Sequence, residues 1–128
     1  MKITNRILQS KVQILSMISN KQLPVKVSYS LAKNIAVINK ELKLFEEEKV
    51  KIIGQYALKD ENGNPKIENN KYIFENDEKE NECNEKYNEL LDIEAEIELR
   101  GIKESELLNA NINFTPAELI ELDFMIME

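Results

Sequence analysis

The feature that most constrains the fold is an apolar stripe in the first half of the chain. Its members alternate in steps of four and three residues and are Leu31, Ile35, Ile38, Leu42, Phe45, Ile52 and Tyr56, with Lys49 as the one polar position. This heptad spacing predicts a helix from a cap at Ser28 to about Leu58. The helix would be about 45 Å long. Because so long a seam needs a cover, we expect an antiparallel helical hairpin that also forms a homo-oligomer through the seam.

The other elements are shorter. Residues 4–20 have helical spacing and predict the first arm of the hairpin. The Asn-Asn pair at 69–70 predicts a tight β-hairpin turn, and a third helix is expected from about Asp77. Residues 92–99 alternate acidic and apolar side chains, which predicts a strand with a solvated or ligand-binding acidic face. Thr115 caps a C-terminal helix, whose predicted apolar face is Leu119, Leu122, Met125 and Ile126. The expected class is α+β and mainly helical: a long helical hairpin, a small β-hairpin and strand region, and a C-terminal helix.

Charge is unevenly distributed along the chain. Residues 1–59 carry eleven Lys and Arg against four Asp and Glu, a net charge of +7, whereas residues 60–128 carry six against twenty, a net charge of −14. We expect a single domain over 1–128 with a basic helical hairpin (1–59) and an acidic α+β part (60–128). Three interpretations fit the asymmetry: the halves attract each other, the basic half binds an anion, or the acidic half mimics nucleic acid. Direct nucleic-acid binding is not expected, because the total charge of −7 has the wrong sign.

The side-chain inventory argues against an enzyme. The chain has no His and a single Cys, Cys83, which excludes Ser-His and Cys-His pairs, an internal disulfide and a Cys-based zinc site. No glycine-rich phosphate loop or other catalytic motif is present. We therefore expect a protein with no catalytic residues, no metal and no cofactor. No apolar run has the length of a membrane span, so no membrane association is expected.

The start of the long helix is the candidate ligand site. It places Lys26, Ser28, Tyr29, Lys33 and Asn34 close to a helix N-terminus, which favours anions. Two ammonium groups, a hydroxyl, an aromatic face and an amide are the groups that a nucleotide pocket needs. In the alternative interpretation the segment is an ordinary capped helix start with both Lys side chains in solvent.

Four strings in the sequence suggest a family: LPVKVSYSLAKN, FEEEKVKIIGQYALKDENGN, NELLDIEAEIELRGIK and FTPAELIELDFMIME. Together they cover nearly the whole chain, which resembles small uncharacterised accessory proteins of tailed phages and prophages of low-GC Gram-positive bacteria. The resemblance implies an accessory role in the cytoplasm of an infected bacterial cell and brings no catalytic residues with it.

Three roles fit a small, bipolar, non-enzymatic phage protein. The first is counter-defence, either by sequestering a nucleotide immune signal between subunits or by blocking a host defence protein. In that role phosphate would bind Lys26 and Lys33, a base would stack on Tyr29, and Asn34 would read a base edge. The second is tail or head morphogenesis as an assembly chaperone or minor structural component. The third is mimicry of nucleic acid by the acidic part.

Overall fold

The computed structural model describes residues 1–127. Within them the helices are α1 (Asn5–Ile18), α2 (Val25–Tyr56), α3 (Asp77–Leu91), α4 (Glu104–Leu108) and α5 (Pro116–Leu122). The strands form three two-stranded sheets: β1 (Lys2–Thr4) with β4 (Glu94–Glu96), β2 (Ile67–Glu68) with β3 (Lys71–Tyr72), and β5 (Ile102–Lys103) with β6 (Ile126–Met127). The predicted mainly helical α+β class is confirmed.

The chain divides into two compact units. The terminal unit contains residues 1–42 together with the last segment from residue 94, and the central unit contains residues 43–93. This division does not follow the change of charge at residues 59 and 60, because the acidic last segment packs with the basic first one. Helix α2 supplies residues to both units.

The terminal unit is built around one apolar cluster. Helices α1 and α2 are joined by a short connection and contribute side chains to the same core, as a helical hairpin does. The last segment covers the cluster with Ile97, Ile102, Leu107 and Leu122. Opposite charges add to this packing, because Lys11 and Lys21 of the first segment pair with Glu121 and Glu118 at 3.1 and 3.4 Å.

Helix α2 begins earlier than the sequence predicted. Its first residue is Val25, and the backbone N–H of Ser28 donates to the carbonyl of Pro24 at 2.9 Å. The cap predicted at Ser28 is therefore wrong: Ser28 lies inside the first turn. Pro24 directly precedes the helix, where its missing N–H costs no helical hydrogen bond, because only its carbonyl takes part in the first turn.

The strand predicted over 92–99 is shorter than expected. Only Glu94–Glu96 forms a ladder, antiparallel to β1, with Ala95 buried and both Glu side chains exposed. Ile93, on the predicted buried face, is 55% exposed. Alternation marks which side chains face inward, but a ladder also needs a partner strand, and β1 has only three residues.

The C-terminal helix is also shorter than its apolar pattern suggested. Helix α5 ends at Leu122, a 3₁₀ turn covers Asp123–Met125, and β6 then pairs in parallel with β5. Met125 and Ile126, predicted on the helix face, contribute to the terminal core from beyond the helix. The backbone after the 3₁₀ turn is therefore extended, and its hydrogen bonds go to β5 instead of continuing the helix.

The central unit contains the predicted β-hairpin and the third helix. Asn69 and Asn70 have φ values of 55° and 64°, the left-handed conformation required by a two-residue hairpin turn. Helix α3 begins at Asp77, as expected, and its cap is Asn76, whose side chain accepts from the backbone N–H of Lys79 at 2.9 Å. Its inner face carries Cys83, which packs against Ile53 and Ala57 at the end of α2.

Among residues 1–127, none of the helices combines the length and the apolar character that crossing a membrane requires.

The capping box of α5 yields a stability prediction. The hydroxyl of Thr115 accepts from the backbone N–H of Glu118 at 3.1 Å, and the Glu118 carboxylate accepts from the backbone N–H of Thr115 at 2.8 Å. Thr115→Val keeps the shape but removes the acceptor, so we expect it to lower the free energy of unfolding by about 1 kcal/mol. Urea denaturation followed by circular dichroism measures this loss. Thr115→Ser is the control and should retain most of the stability; equal stability of the two variants would contradict the role of the cap.

Candidate functional site

The predicted ligand-binding residues at the start of α2 do not all reach the same place. Lys26, Ser28, Tyr29 and Lys33 are exposed, whereas Asn34 is buried with 1% of its surface accessible. Lys26 and Tyr29 line a groove of the terminal unit with a volume of about 460 Å³. Ser28 does not line it.

The opposite wall of the groove comes from the last segment of the chain. Arg100, Gly101 and Lys103 line it, with Glu106 from α4 and Met127 from β6. A side chain on Gly101 would meet the side chain of Met127, so glycine permits the close approach of these two segments. The groove therefore combines residues that are more than seventy positions apart in the sequence.

The ring of Tyr29 contacts two cations. The guanidinium carbon of Arg100 lies 5.0 Å from the centroid of its ring, and the Lys33 ammonium nitrogen lies 5.5 Å from it. Each cation is attracted by the negative face of the ring, a contact worth about 0.5–1 kcal/mol at an exposed site. The Tyr29 ring, which is 51% exposed, thus holds two cations close together in spite of their mutual repulsion.

Four cations lie at this ring or in the groove, and within the described chain they have no ion-pair partner. Among residues 1–127, no carboxylate lies within ion-pair distance of Lys26, Lys33, Arg100 or Lys103. Glu106 lines the same groove and makes no ion pair within the described chain. We call Lys26, Tyr29, Lys33, Arg100 and Lys103 the basic cluster. Because its cations have no ion-pair partner within residues 1–127, the cluster is a candidate site for an anion.

Asn34 has a structural role instead of the predicted contact with a base edge. Its side-chain carbonyl accepts from the backbone N–H of Arg100 at 2.7 Å, and its side-chain N–H donates to the backbone carbonyl of Arg100 at 2.9 Å. A further contact runs from the same nitrogen to the sulfur of Met125 at 3.4 Å. With its amide occupied and buried, Asn34 positions Arg100 beside Tyr29 and does not face the groove.

The seam residues are covered within the chain. Leu31 and Ile38 are buried in the terminal core, Ile35 and Leu42 pack against it, and Phe45 is 2% exposed. Ile52 and Tyr56 pack against the core of the central unit. Three of the seven seam side chains are buried and four are partly buried, so the chain itself covers most of the seam. The homo-oligomer remains a prediction.

The sequence interpretation missed Arg100 and Lys103. A signal for them exists: they are the only basic residues after Lys86, and they stand three positions apart in an otherwise acidic stretch. Lone cations in acidic surroundings indicate either local ion pairs or a contact elsewhere in the fold. The structure shows the second case, since neither forms an ion pair with the described residues.

The acidic side chains do not form a metal site in the described chain. Over residues 1–127, no group of three or more Cys, Asp or Glu side chains is arranged to hold a metal ion. Glu94 and Glu96 are exposed on β4, and Glu96 pairs with the α-ammonium group of Met1 at 3.2 Å.

Comparison of the chain with protein-family models, with curated proteins and with solved structures found no match.

The pairing of Asn34 with Arg100 yields a second stability prediction. Asn34→Ala leaves the backbone N–H and carbonyl of Arg100 without their partner, and we expect it to lower the free energy of unfolding by about 2–4 kcal/mol. Asn39→Ala, on the exposed side of the same helix, has the same change in helix propensity and should stay within about 0.5 kcal/mol of the wild type. Urea denaturation of both variants makes the comparison. Equal stabilities would show that the buried amide contributes nothing.

Proposed function

We propose that the chain is a non-enzymatic binding protein that holds a small phosphorylated anion of the nucleotide class in the groove of the basic cluster. One observation carries the proposal: Arg100 and Lys33 contact the Tyr29 ring, and Lys26 and Lys103 line the groove that this ring also lines. None of the four cations has an ion-pair partner among residues 1–127, in a protein whose formal charge is −7. In so acidic a chain, cations are easily paired, as Lys11 and Lys21 are. An unpaired cluster therefore favours a mobile anion as its partner.

The chemistry of the cluster suits phosphate and a base. Arg100 offers a planar fork of donors that binds two phosphate oxygens at once, and Lys26 and Lys103 add point charges. The guanidinium plane of Arg100 and the ring of Tyr29 both offer surfaces on which a base stacks. Glu106 adds an acceptor for a ribose hydroxyl or a base amino group. These groups bind and orient a ligand, and none of them is an activated nucleophile.

The biological role is proposed from the sequence resemblance. For an accessory phage protein, holding a nucleotide without converting it would remove an immune signal from the cytoplasm of the infected cell. Blocking a host defence protein is the related possibility, in which the basic cluster would bind an acidic surface of that protein. No observation favours the assembly role. The feature that carries the proposal is a cluster of cations, which an assembly factor does not need.

Nucleotide binding is tested by calorimetric titration of the purified chain. The panel contains purine and pyrimidine mononucleotides, linear and cyclic dinucleotides, the corresponding nucleosides and inorganic phosphate. We expect saturable binding of at least one nucleotide, weaker binding of its nucleoside, and a loss of affinity as salt rises. Arg100→Glu should weaken binding by about 2 kcal/mol or more, roughly thirtyfold, since it replaces a phosphate donor with a like charge.

The control for this experiment is Lys51→Glu, which changes an exposed lysine of α2 in the central unit. Arg100→Glu should fold normally, because Asn34 binds the backbone of that residue and not its side chain. No binding across the panel, or equal losses in the two variants, would refute the proposal. Native mass spectrometry after exposure to an extract of phage-infected cells would then identify the bound species through its mass.

A further inference from the structure

The central unit contains a second cavity, which has a different chemistry. It encloses about 370 Å³ between the β2–β3 hairpin and helices α2 and α3. Tyr72, Phe74 and Tyr87 supply three aromatic rings, and Ile53 and Cys83 add apolar surface. A volume of this size with mainly apolar walls and a few polar groups is typical of a small-molecule site.

Lys49 gives this cavity its charge. It occupies the one polar position in the heptad seam, where an apolar side chain would extend the stripe. Its ammonium nitrogen lies 5.8 Å from the centroid of the Tyr87 ring. The nearest oxygen of Glu46 is 3.8 Å from the same nitrogen, which is a long distance for an ion pair. Because Lys49 lines the cavity, the break in the seam places a cation at an aromatic wall.

Tyr87 is held in place by its own contacts. Its ring packs against the buried ring of Phe45, with the centroids 6.0 Å apart and the planes at 48°. This tilted geometry is a favourable one for two aromatic rings. Phe45 and Lys49 thus fix the wall, so that little of the ring's freedom remains to be lost when a flat molecule stacks against it.

The remaining polar groups define the charge that fits. Lys71 is a second cation, Glu80 is the one acid, and Asn70 and Asn84 provide neutral amides. Among the residues that line the cavity two cations stand against one acid, and Lys49 also has the long ion pair with Glu46. The excess of positive charge is therefore at most one, which suits a monoanion and not a polyphosphate. Cys83 does not add a charge, because burial and, secondarily, the nearby Glu80 raise the pKa of its thiol.

We propose that this cavity binds a planar aromatic molecule that carries one carboxylate group. The rings of Tyr72, Phe74 and Tyr87 contact the aromatic part, and Lys49 pairs with the carboxylate. The site lies within the central unit and shares no residue with the basic cluster, so the two binding proposals stand or fall separately.

The test titrates the full-length chain with 2-naphthoate and, in parallel, with the neutral isostere 2-naphthamide. We expect saturable binding of naphthoate by calorimetry and by its fluorescence, and binding of the amide that is weaker by about tenfold. Lys49→Met removes the charge but keeps an apolar stem, and it should weaken naphthoate binding by about tenfold. Lys51→Met, two residues away on the same helix with its ammonium group at Glu48, is the matched control and should bind as the wild type does.

Cys83 provides an independent measurement, since it is the single thiol of the chain and lines the cavity. Saturating naphthoate should slow its alkylation by N-ethylmaleimide at least threefold in the unmodified protein. Four results would overturn the proposal: no saturable binding up to millimolar naphthoate, equal affinity for the amide, equal losses in Lys49→Met and Lys51→Met, or unchanged alkylation of Cys83.

Discussion

The buried amide of Asn34 is the contact on which the arrangement of the terminal unit depends. It pairs with both backbone groups of Arg100, as a neighbouring strand would, and so fixes the last segment of the chain against α2. The pairing satisfies a polar side chain that would be costly to bury alone. It also fixes the position of the Arg100 backbone, and thereby brings a cation from the acidic part of the sequence to Tyr29.

The charge asymmetry of the sequence has two outcomes in the structure. Lys11 and Lys21 pair with Glu121 and Glu118, so part of the basic segment neutralises part of the acidic one. The basic cluster is the other outcome, in which cations from both segments lie together with no ion pair to a described residue, although Glu106 lines the same groove. The first outcome stabilises the fold, since the four side chains are largely shielded from water, and the second leaves donors for a ligand.

The sequence predicted the fold better than the site. Helical spacing, the Asn69-Asn70 turn and the Thr115 capping box are local signals, because each depends on residues within a few positions of one another, and the structure confirms all three. Helix α2 begins before its expected cap because Pro24 and Ser28 can each precede a first helical turn. The local pattern does not show which of the two residues marks the start of the helix. The seam indicated which side chains are buried, but not that the chain itself covers them.

The candidate site shows the same limit. Lys26, Tyr29 and Lys33 were identified from helical spacing, whereas the contributions of Arg100 and Lys103 depend on a contact between distant segments. Asn34 shares its residue type with many ligand-binding positions, and only its burial reveals that it serves the backbone. Lys49 likewise interrupts the heptad pattern of α2. That it lines an aromatic cavity depends on the packing of α3 and the β2–β3 hairpin, which the pattern along α2 does not contain.

The sequence by itself determined the helices, the hairpin turn, the cap of α5 and the lack of imidazole chemistry, since propensity, periodicity and composition act locally. The tertiary structure decided which cations are paired, which amide is buried and which rings enclose a cavity. The physical reason is that ion pairs, cation–π contacts and cavities depend on distances in space between residues far apart in the chain. Those distances follow from how the apolar faces pack, and the pattern along one segment does not contain them.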